Sequence, residues 1–382
     1  MQFRVNRKQV SQVLRAVSPF VPRASLYPTY NQILVFANGD ALHFYAYDGY
    51  SVHAEGCVSG AQIDGGDSGQ SKACVNVRTF VDLVDASAAE ELVLEFDGNR
   101  LGVAAGNGKW ELPSARYVDV KFPEFEGLVK GRLPDNFPDL LKMVLYAVAK
   151  SDERPTLRNV LFELDEGSMR LTAVDGFRLA QVVVPMELSF SDDKKRYKFM
   201  VRHERLSALA RQARRFSEPV YMKCGVREVV FETAGYRFAL PLEEGRYPDL
   251  EPILGPVFEH AKDAPTRVSR QLLCGAVRRG VIAYESDSTP RLCIHARNQS
   301  LFGQGLEVSL QAEKMNQFEF VSATVPVEFS VLLNAKYLLA ALEACKSDEV
   351  RIYFLSSPRN FFFVLDGVDG DSPLHLIMPM AY

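Results

Sequence analysis

Segments 32–56 and 159–182 share one construction, 127 residues apart, and that offset is one third of the 382-residue chain. The first reads QILVFANGDALHFYAYDGYSVHAEG and the second NVLFELDEGSMRLTAVDGFRLAQV. Each gives strand, polar turn, strand, Asp-Gly, aromatic, strand, so Asp48-Gly49-Tyr50 stands opposite Asp175-Gly176-Phe177. A repeat of this length means several units of one design, because a single core rarely grows past about 250–300 residues.

Two more segment classes repeat in the same order. Segments 75–113, 199–241 and 331–379 each give a short helix, a break, a strand, a turn and a strand ending in Leu-Pro or Met-Pro. Segments 3–21, 131–151 and 266–284 each give a short strand and then an amphipathic helix. In the first, Val10, Val13, Leu14 and Val17 recur at helical spacing, and in the second Leu140, Leu141, Val144, Leu145 and Val148 do. The predicted architecture is α+β, with three tandem β-rich units at 1–127, 128–257 and 258–382. The third unit lacks the Asp-Gly hairpin and carries a longer glycine-containing loop within 292–314.

The bulk numbers exclude several classes. The hydrophobic fraction of 47% and charged fraction of 24% are those of a globular protein. No run approaches a membrane span, and the N-terminus lacks a signal-peptide core. The cysteines at 57, 74, 224, 274, 293 and 345 form no C-x-x-C pair. They read as reduced, mostly buried thiols of a cytoplasmic protein. The stretch SGAQIDGGDSGQSKA (59–73) reads as a flexible surface loop. A net charge of −4 does not by itself point to nucleic acid, but an acidic chain can still carry one basic surface.

Candidate chemistry is thin. The six histidines show no metal-ligand spacing, and the chain has no G-x-S-x-G and no phosphate-binding loop. Acidic stretches such as DDKK (192–195) and LEEGRYPD (242–249) read as solvated turns. Asp175 invites a catalytic reading, with Arg178 three residues on, but a catalytic carboxylate needs a partner and none is near in sequence. Asp-Gly between alternating apolar runs is instead the signal of a tight hairpin whose two central residues have φ > 0. Its recurrence at Asp48 favours the turn.

The same residues carry a family pattern. LTAVDGFRLA resembles the T-D-G-x-R-L-A segment of bacterial sliding clamps, the DNA polymerase III β subunits. GRYPDLEPIL (245–254), SDERPTLRNVLFE (151–163) and the C-terminal HLIMPMAY are similar to further segments of that family, in the same order. The resemblance spans the whole chain. It implies three clamp domains, each with two helices inside and sheets outside, and a head-to-tail homodimeric ring with six-fold pseudo-symmetry. The ring would encircle duplex DNA without sequence preference, be opened by a clamp-loader ATPase, and hold DNA polymerases and repair proteins through short peptides. It implies no cofactor, no metal, no membrane and no catalysis.

Site residues follow from the resemblance. A partner-peptide pocket would comprise Leu157, Gly176, Phe177, Arg178, Leu179, Pro248 and Ile253, with Asn334, Tyr337, Met378, Pro379 and Met380 from the third unit. Aliphatic and Met walls with a few polar groups make an adaptable peptide groove. DNA-facing residues would be Arg23, Arg154, Arg202, Arg205, Arg211, Arg214, Arg215, Arg270, Arg278 and Arg279. A sliding ring needs diffuse positive charge rather than tight phosphate contacts, and the helix segments 204–216 and 269–280 are locally basic. Trp110 would anchor the ring interface against Val281 and Ile282.

The chain departs from the pattern at Phe177, where the family often has His, and at Ala381, where Arg is frequent. It departs also at Pro252, in the loop 284–292 and in the longer loops 59–73 and 296–304. Two rivals remain at this level: a specialised clamp copy acting mainly as a peptide-recruiting scaffold, and an enzyme on duplicated β-rich domains.

Overall fold

A computed structural model describes residues 2–22, 31–49, 51–64, 72–116, 121–151, 153–193, 195–282, 289–311, 315–356, 360–367 and 373–381. Along the chain, one order of elements recurs. The first run is β1 (Gln2–Asn6), α1 (Arg7–Val17), β2 (Gln32–Asn38), β3 (Ala41–Tyr47), β4 (His53–Val58), β5 (Gln62–Asp64), β6 (Lys72–Asn76), α2 (Val77–Ala86), β7 (Glu91–Phe96), β8 (Arg100–Ala105) and β9 (Gly108–Pro113).

The second run is β10 (Val129–Arg132), α3 (Phe137–Leu145), β11 (Asn159–Asp165), β12 (Ser168–Val174), β13 (Arg178–Pro185), β14 (Leu188–Phe190), β15 (Arg196–Arg202), α4 (His203–Ala213), β16 (Tyr221–Cys224), β17 (Glu228–Thr233) and β18 (Tyr236–Pro241). It matches the first element for element. A connecting helix α5 (Glu251–His260) precedes the third run. That run is β19 (Thr266–Ser269), α6 (Arg270–Ile282), β20 (Arg291–Arg297), β21 (Gly305–Gln311), β22 (Asn316–Thr324), β23 (Phe329–Asn334), α7 (Ala335–Ala344), β24 (Glu349–Leu355), β25 (Phe361–Asp366) and β26 (Leu374–Ile377).

The third run has one strand fewer because β22 does two jobs. In the first two runs a short strand, β5 or β14, pairs with the opening strand, β1 or β10. In the third, the far end of β22 pairs with the opening strand β19 through Ala323 and Thr324.

A strand that ends in Asn and leads straight into a helix recurs in the first and third runs. Asn6, Asn76 and Asn334 are the N-caps of α1, α2 and α7, and each side chain accepts from backbone N–H groups of the first turn. Such a cap contributes about 1 kcal/mol. The motif repeats in plain sight (VN-R, VN-V, LN-A) and marks helix starts that apolar spacing alone leaves vague.

The chain packs into two compact units. The first comprises Met1–Pro138, Met186–Lys195 and Glu204–Leu242. It holds a sheet of order β5-β1-β7-β8-β9 and a second of order β14-β10-β16-β17-β18-β4-β3-β2-β6. The second unit comprises Asp139–Pro185, Arg196–His203 and Glu243–Tyr382, and holds one sheet of order β15-β11-β12-β13-β26-β25-β24-β19-β22-β21-β20-β23. All pairings are antiparallel, and α6 and α7 cover the sheet over a core that includes Leu273, Val277, Leu338 and Leu342.

Two junctions between runs lie inside these sheets. β18 of the second run pairs with β4 of the first, Phe238 opposite Ala54 and Arg237 opposite Glu55. β26 of the third run pairs with β13 of the second, His375 opposite Ala180 and Leu374 opposite Gln181.

Several sequence expectations need correction. Residues 62–64 of the expected flexible loop form β5, paired with β1, while residues 65–71 lie outside the described set. The position 257/258, where the sequence places a unit boundary, lies within α5, which carries Pro256 inside it. Within the stretch read as solvated turns, Tyr247 is buried. α3 stops at Leu145 and α4 at Ala213, so Val148, Arg214 and Arg215 lie in the turns beyond. The six cysteines are free, four of them buried.

Candidate functional site

The hairpin between β12 and β13 resolves the question of Asp175. Its Oδ1 accepts from the backbone N–H of Phe177 at 2.9 Å and of Arg178 at 3.0 Å, and its Oδ2 accepts from Arg178 Nε at 2.8 Å. All of its strong contacts are local, as in a turn-forming Asp. The turn is not the one expected. Val174 pairs with Leu179 and Asp175 N–H donates to Arg178 O, which makes Gly176 and Phe177 the central pair. Of the two, only Gly176 has positive φ, at +95°. That is the requirement of a turn with glycine first rather than of an Asp-Gly centre. At Asp48 the same carboxylate oxygen takes the N–H groups of Ser51 and Val52, so the device repeats with a longer loop and no following arginine.

Arg178 is fixed on several sides. Its guanidinium carbon lies 4.4 Å from the Tyr337 ring centroid and 5.3 Å from that of Tyr146. The Asp175–Arg178 pair is nearly buried, with side chains 11% and 10% exposed, so it is screened far less than a surface pair. Behind it, Tyr146 Oη lies 2.9 Å from His375 Nδ1. His375 has no exposure, and burial lowers its pKa to about 4, opposed in part by Asp366. Burial likewise raises the Tyr146 hydroxyl, so both groups of the pair are neutral near pH 7.

The expected pocket residues fall into linked groups. Gly176, Phe177, Arg178 and Leu179 form the hairpin and the start of β13. Met378 N–H donates to Phe177 O at 2.8 Å, and Met380 N–H to Leu332 O at 2.8 Å. Met378 stands just beyond β26 and is 43% exposed, not strand core, and Phe177 is 61% exposed. Leu157 and Leu179 share an apolar cluster with Leu254 and Val257, and Ile253 packs on it. Tyr337 lies against Arg178. Asn334 Oδ1 is engaged by Lys336 N–H as the α7 cap. Pro379 is half-buried between Met378 and Met380. Pro248 lines a cavity of about 500 Å³ with Glu163 and Lys198 and with Tyr247 and Leu254 of that apolar cluster.

Sequence reading missed Tyr146, His375 and the anchoring part played by Asp175. Tyr146 sits one residue past α3 and 229 positions from His375, a proximity no local pattern encodes.

The basic residues divide into three groups. Arg211, Arg214 and Arg215 are exposed at the end of α4, and among the described residues no acid pairs with Arg211 or Arg215. Arg202 and Arg205 are half-buried near the start of that helix. On α6, Arg270 donates to Ser347 O at 2.7 Å, Arg278 pairs with Glu343 at 2.9 Å, and Arg279 grips both oxygens of Glu319. The local absence of acids on α6 is thus offset by residues distant in sequence. Arg154 stands apart: its guanidinium lies over Gly176, 3.1 Å from where a Cβ would be. It lies at the hairpin and not with the helix arginines. Arg23 lies outside the described residues.

Trp110 is 41% exposed on β9, which among the described residues ends its sheet with β8 beside it. Val281 packs on the core beneath α6, and Ile282 closes that helix 75% exposed. Among the described residues no cluster of His, Cys, Asp and Glu could hold a metal, and no helix is long and apolar enough to cross a membrane.

Tandem strand–helix units with long antiparallel sheets define a clamp fold. Residues 1–124 match the family model of the DNA polymerase III β subunit N-terminal domain, and residues 133–249 that of its central domain. The β sliding clamps of Vibrio cholerae and Pseudomonas aeruginosa are 23% and 24% identical over the full length of both chains. The fold matches the sliding clamp of Bacillus subtilis with a TM-score of 0.86 at 18% identity, covering 100% of this chain and 99% of that one. It matches the Pseudomonas aeruginosa clamp bound to griselimycin with a TM-score of 0.85 at 22% identity, covering 100% of both. The chain belongs to the bacterial DNA polymerase III β-subunit family. It is a DNA sliding clamp, a processivity factor and not an enzyme.

Proposed function

We propose that two copies of this chain close head to tail into a ring around duplex DNA, with modules at 1–127, 128–257 and 258–382. The pattern of strand edges is the observation that carries this reading. The last strand of the second run, β18, fills the edge of β4, and the last strand of the third, β26, fills the edge of β13. By the same rule β9, the last strand of the first run, should fill the edge of a β22. Among the described residues β9 has only β8 beside it. Residues 316–322 of β22 have β21 on one side, while pairing with β19 covers only Ala323 and Thr324. Among the described residues, the strands of this junction pattern therefore leave β9 as an unfilled donor and β22 as an unfilled acceptor edge. Unpaired edges invite association, and a heterologous contact of this kind makes closed rings when the rotation permits.

The filled junction also supports the side-chain expectations. Phe238 and Trp110 each precede the closing proline by three residues. Phe238 lies 5.0 Å from Phe20, just past α1. The corresponding end of α6 carries Val281 and Ile282, which suits them to receive a partner's Trp110.

The ring is loaded by a clamp-loading ATPase, works in the cytoplasm at the nucleoid, and tethers DNA polymerases and repair proteins by short peptides. Those peptides dock where the 176–179 hairpin meets Tyr337 and 378–380, with Leu157 and Ile253 behind. Arg211, Arg214 and Arg215 supply the diffuse charge that DNA meets. Retention on circular plasmid tests this. Replacing all three arginines by Glu abolishes retention on the proposal, and unchanged loading and retention would overturn it.

A further inference from the structure

Three aromatic side chains of the third run stand together, Phe302 and Phe318 exposed and Phe320 half-buried. The Phe302 ring lies 5.9 Å from Phe318 and 5.6 Å from Phe320, and Phe302 and Phe318 are 60% and 56% exposed. Grouped exposed aromatics on an otherwise polar surface mark an interaction site more often than chance exposure.

The register of the repeats says what should lie opposite them. β3, β12 and β21 open with Ala41, Ser168 and Gly305, and five residues on stand Ala46, Ala173 and Leu310. Their cross-strand partners are Ala54, Ala180 and Gln317. At the two filled junctions, Ala54 faces Phe238 and Ala180 faces His375. Across the strand ladders Phe238 traces back to Gly131 and His375 to Thr266, matching residues of the opening strands β10 and β19, so both junctions use one register. The next residue faces across the same seam: Glu55 meets Arg237, and Gln181 meets Leu374. The third member of that series is Phe318. β9 aligns with β18 through its closing Leu-Pro, which puts Lys109 in the place of Arg237.

We infer that Phe318, backed by Phe302 and Phe320, takes the Lys109 side chain of a second copy of this chain, so that an aromatic cradle closes the ring. This rests on the ring reading above. Gln317 Nε2 donates to Ala276 O of α6, so alternation along β22 turns Phe318 to the face away from that helix. The filled junction between the first and second runs already uses such a contact, since Arg237 lies 4.4 Å from the Phe122 ring while pairing with Glu55. In the single chain, Lys109 is held by Glu95 at 3.0 Å with both side chains exposed, a weak tie that permits re-aiming. A cation over aromatic rings also makes a seam less sensitive to salt than an exposed ion pair.

The test is the dimer dissociation constant of the full chain by sedimentation at low and high salt. Phe318→Lys should weaken the dimer about tenfold or more while leaving the melting temperature of the separated chains unchanged. Adding Lys109→Glu should restore most of the loss, because the pair is then opposite in charge. Trp110→Glu serves as the control for the ring itself. If Trp110→Glu dissociates the dimer and Phe318→Lys does not, the aromatic cradle is wrong and the ring stands. A Phe318→Lys loss that Lys109→Glu fails to restore would also overturn the pairing. A wild-type chain that stays single at high micromolar concentration would overturn both readings.

Discussion

The Arg178 guanidinium carbon lies over the Tyr337 ring, 4.4 Å from its centroid, while Asp175 grips its Nε at 2.8 Å. The arginine is thereby pre-oriented, and a peptide that meets it need not order a mobile side chain. Asp175→Asn keeps an acceptor for the turn but removes the charge that holds Arg178, and Tyr337→Ala removes the stacking face. Each should weaken a clamp-binding peptide by roughly tenfold, about 1.4 kcal/mol. Fluorescence anisotropy with a labelled peptide checks this, and an unchanged Kd in both variants would contradict the arrangement.

His375 gives a pH signature. Its folded pKa of about 4 lies below the ordinary 6.5, so between those values the unfolded chain holds a proton that the folded chain does not. The contribution of this group is fully present above pH 6.5 and is lost as pH falls toward 4. Its size is roughly 3 kcal/mol. Urea unfolding of the wild type and of His375→Gln between pH 7.5 and 4 should show a smaller acid loss in the variant. Parallel curves would mean that His375 does not titrate as its burial demands.

The basic helices should not behave alike. Arg278 and Arg279 already have Glu343 and Glu319, whereas Arg211 and Arg215 have no acidic partner among the described residues. Replacing Arg211 and Arg215 by Ala should reduce the slope of log affinity for DNA against log salt by about 1–2, while replacing Arg278 and Arg279 should change it by less than half as much. Filter binding across a salt series measures both, and equal slope changes would show that the α6 ion pairs open on DNA.

Much of the fold is visible in the sequence because it is periodic. The Asp-Gly-aromatic triplet, the Leu-Pro and Met-Pro endings and the amphipathic helices each encode local geometry, and the order of elements follows them. What escapes is non-local. The neutralisation of Arg279 depends on Glu319, forty residues on, and the layer behind Arg178 depends on Tyr146 meeting His375. The hairpin at Asp175 was legible as a turn but not in type. Its carboxylate takes the N–H groups of Phe177 and Arg178, which moves the turn's centre on to Gly176-Phe177. α5 was not anticipated, because a unit boundary was expected at 257/258; Pro252 stands in its first turn, where proline is well tolerated.

The most direct test of the central claim is the mass and symmetry of the particle in solution. At micromolar concentration the account predicts two chains of 42.8 kDa each in a two-fold particle with a central hole. Trp110→Glu should reduce it to single chains. A wild-type particle that remains a single chain at high micromolar concentration, with Trp110 accessible to quenchers, would contradict the ring.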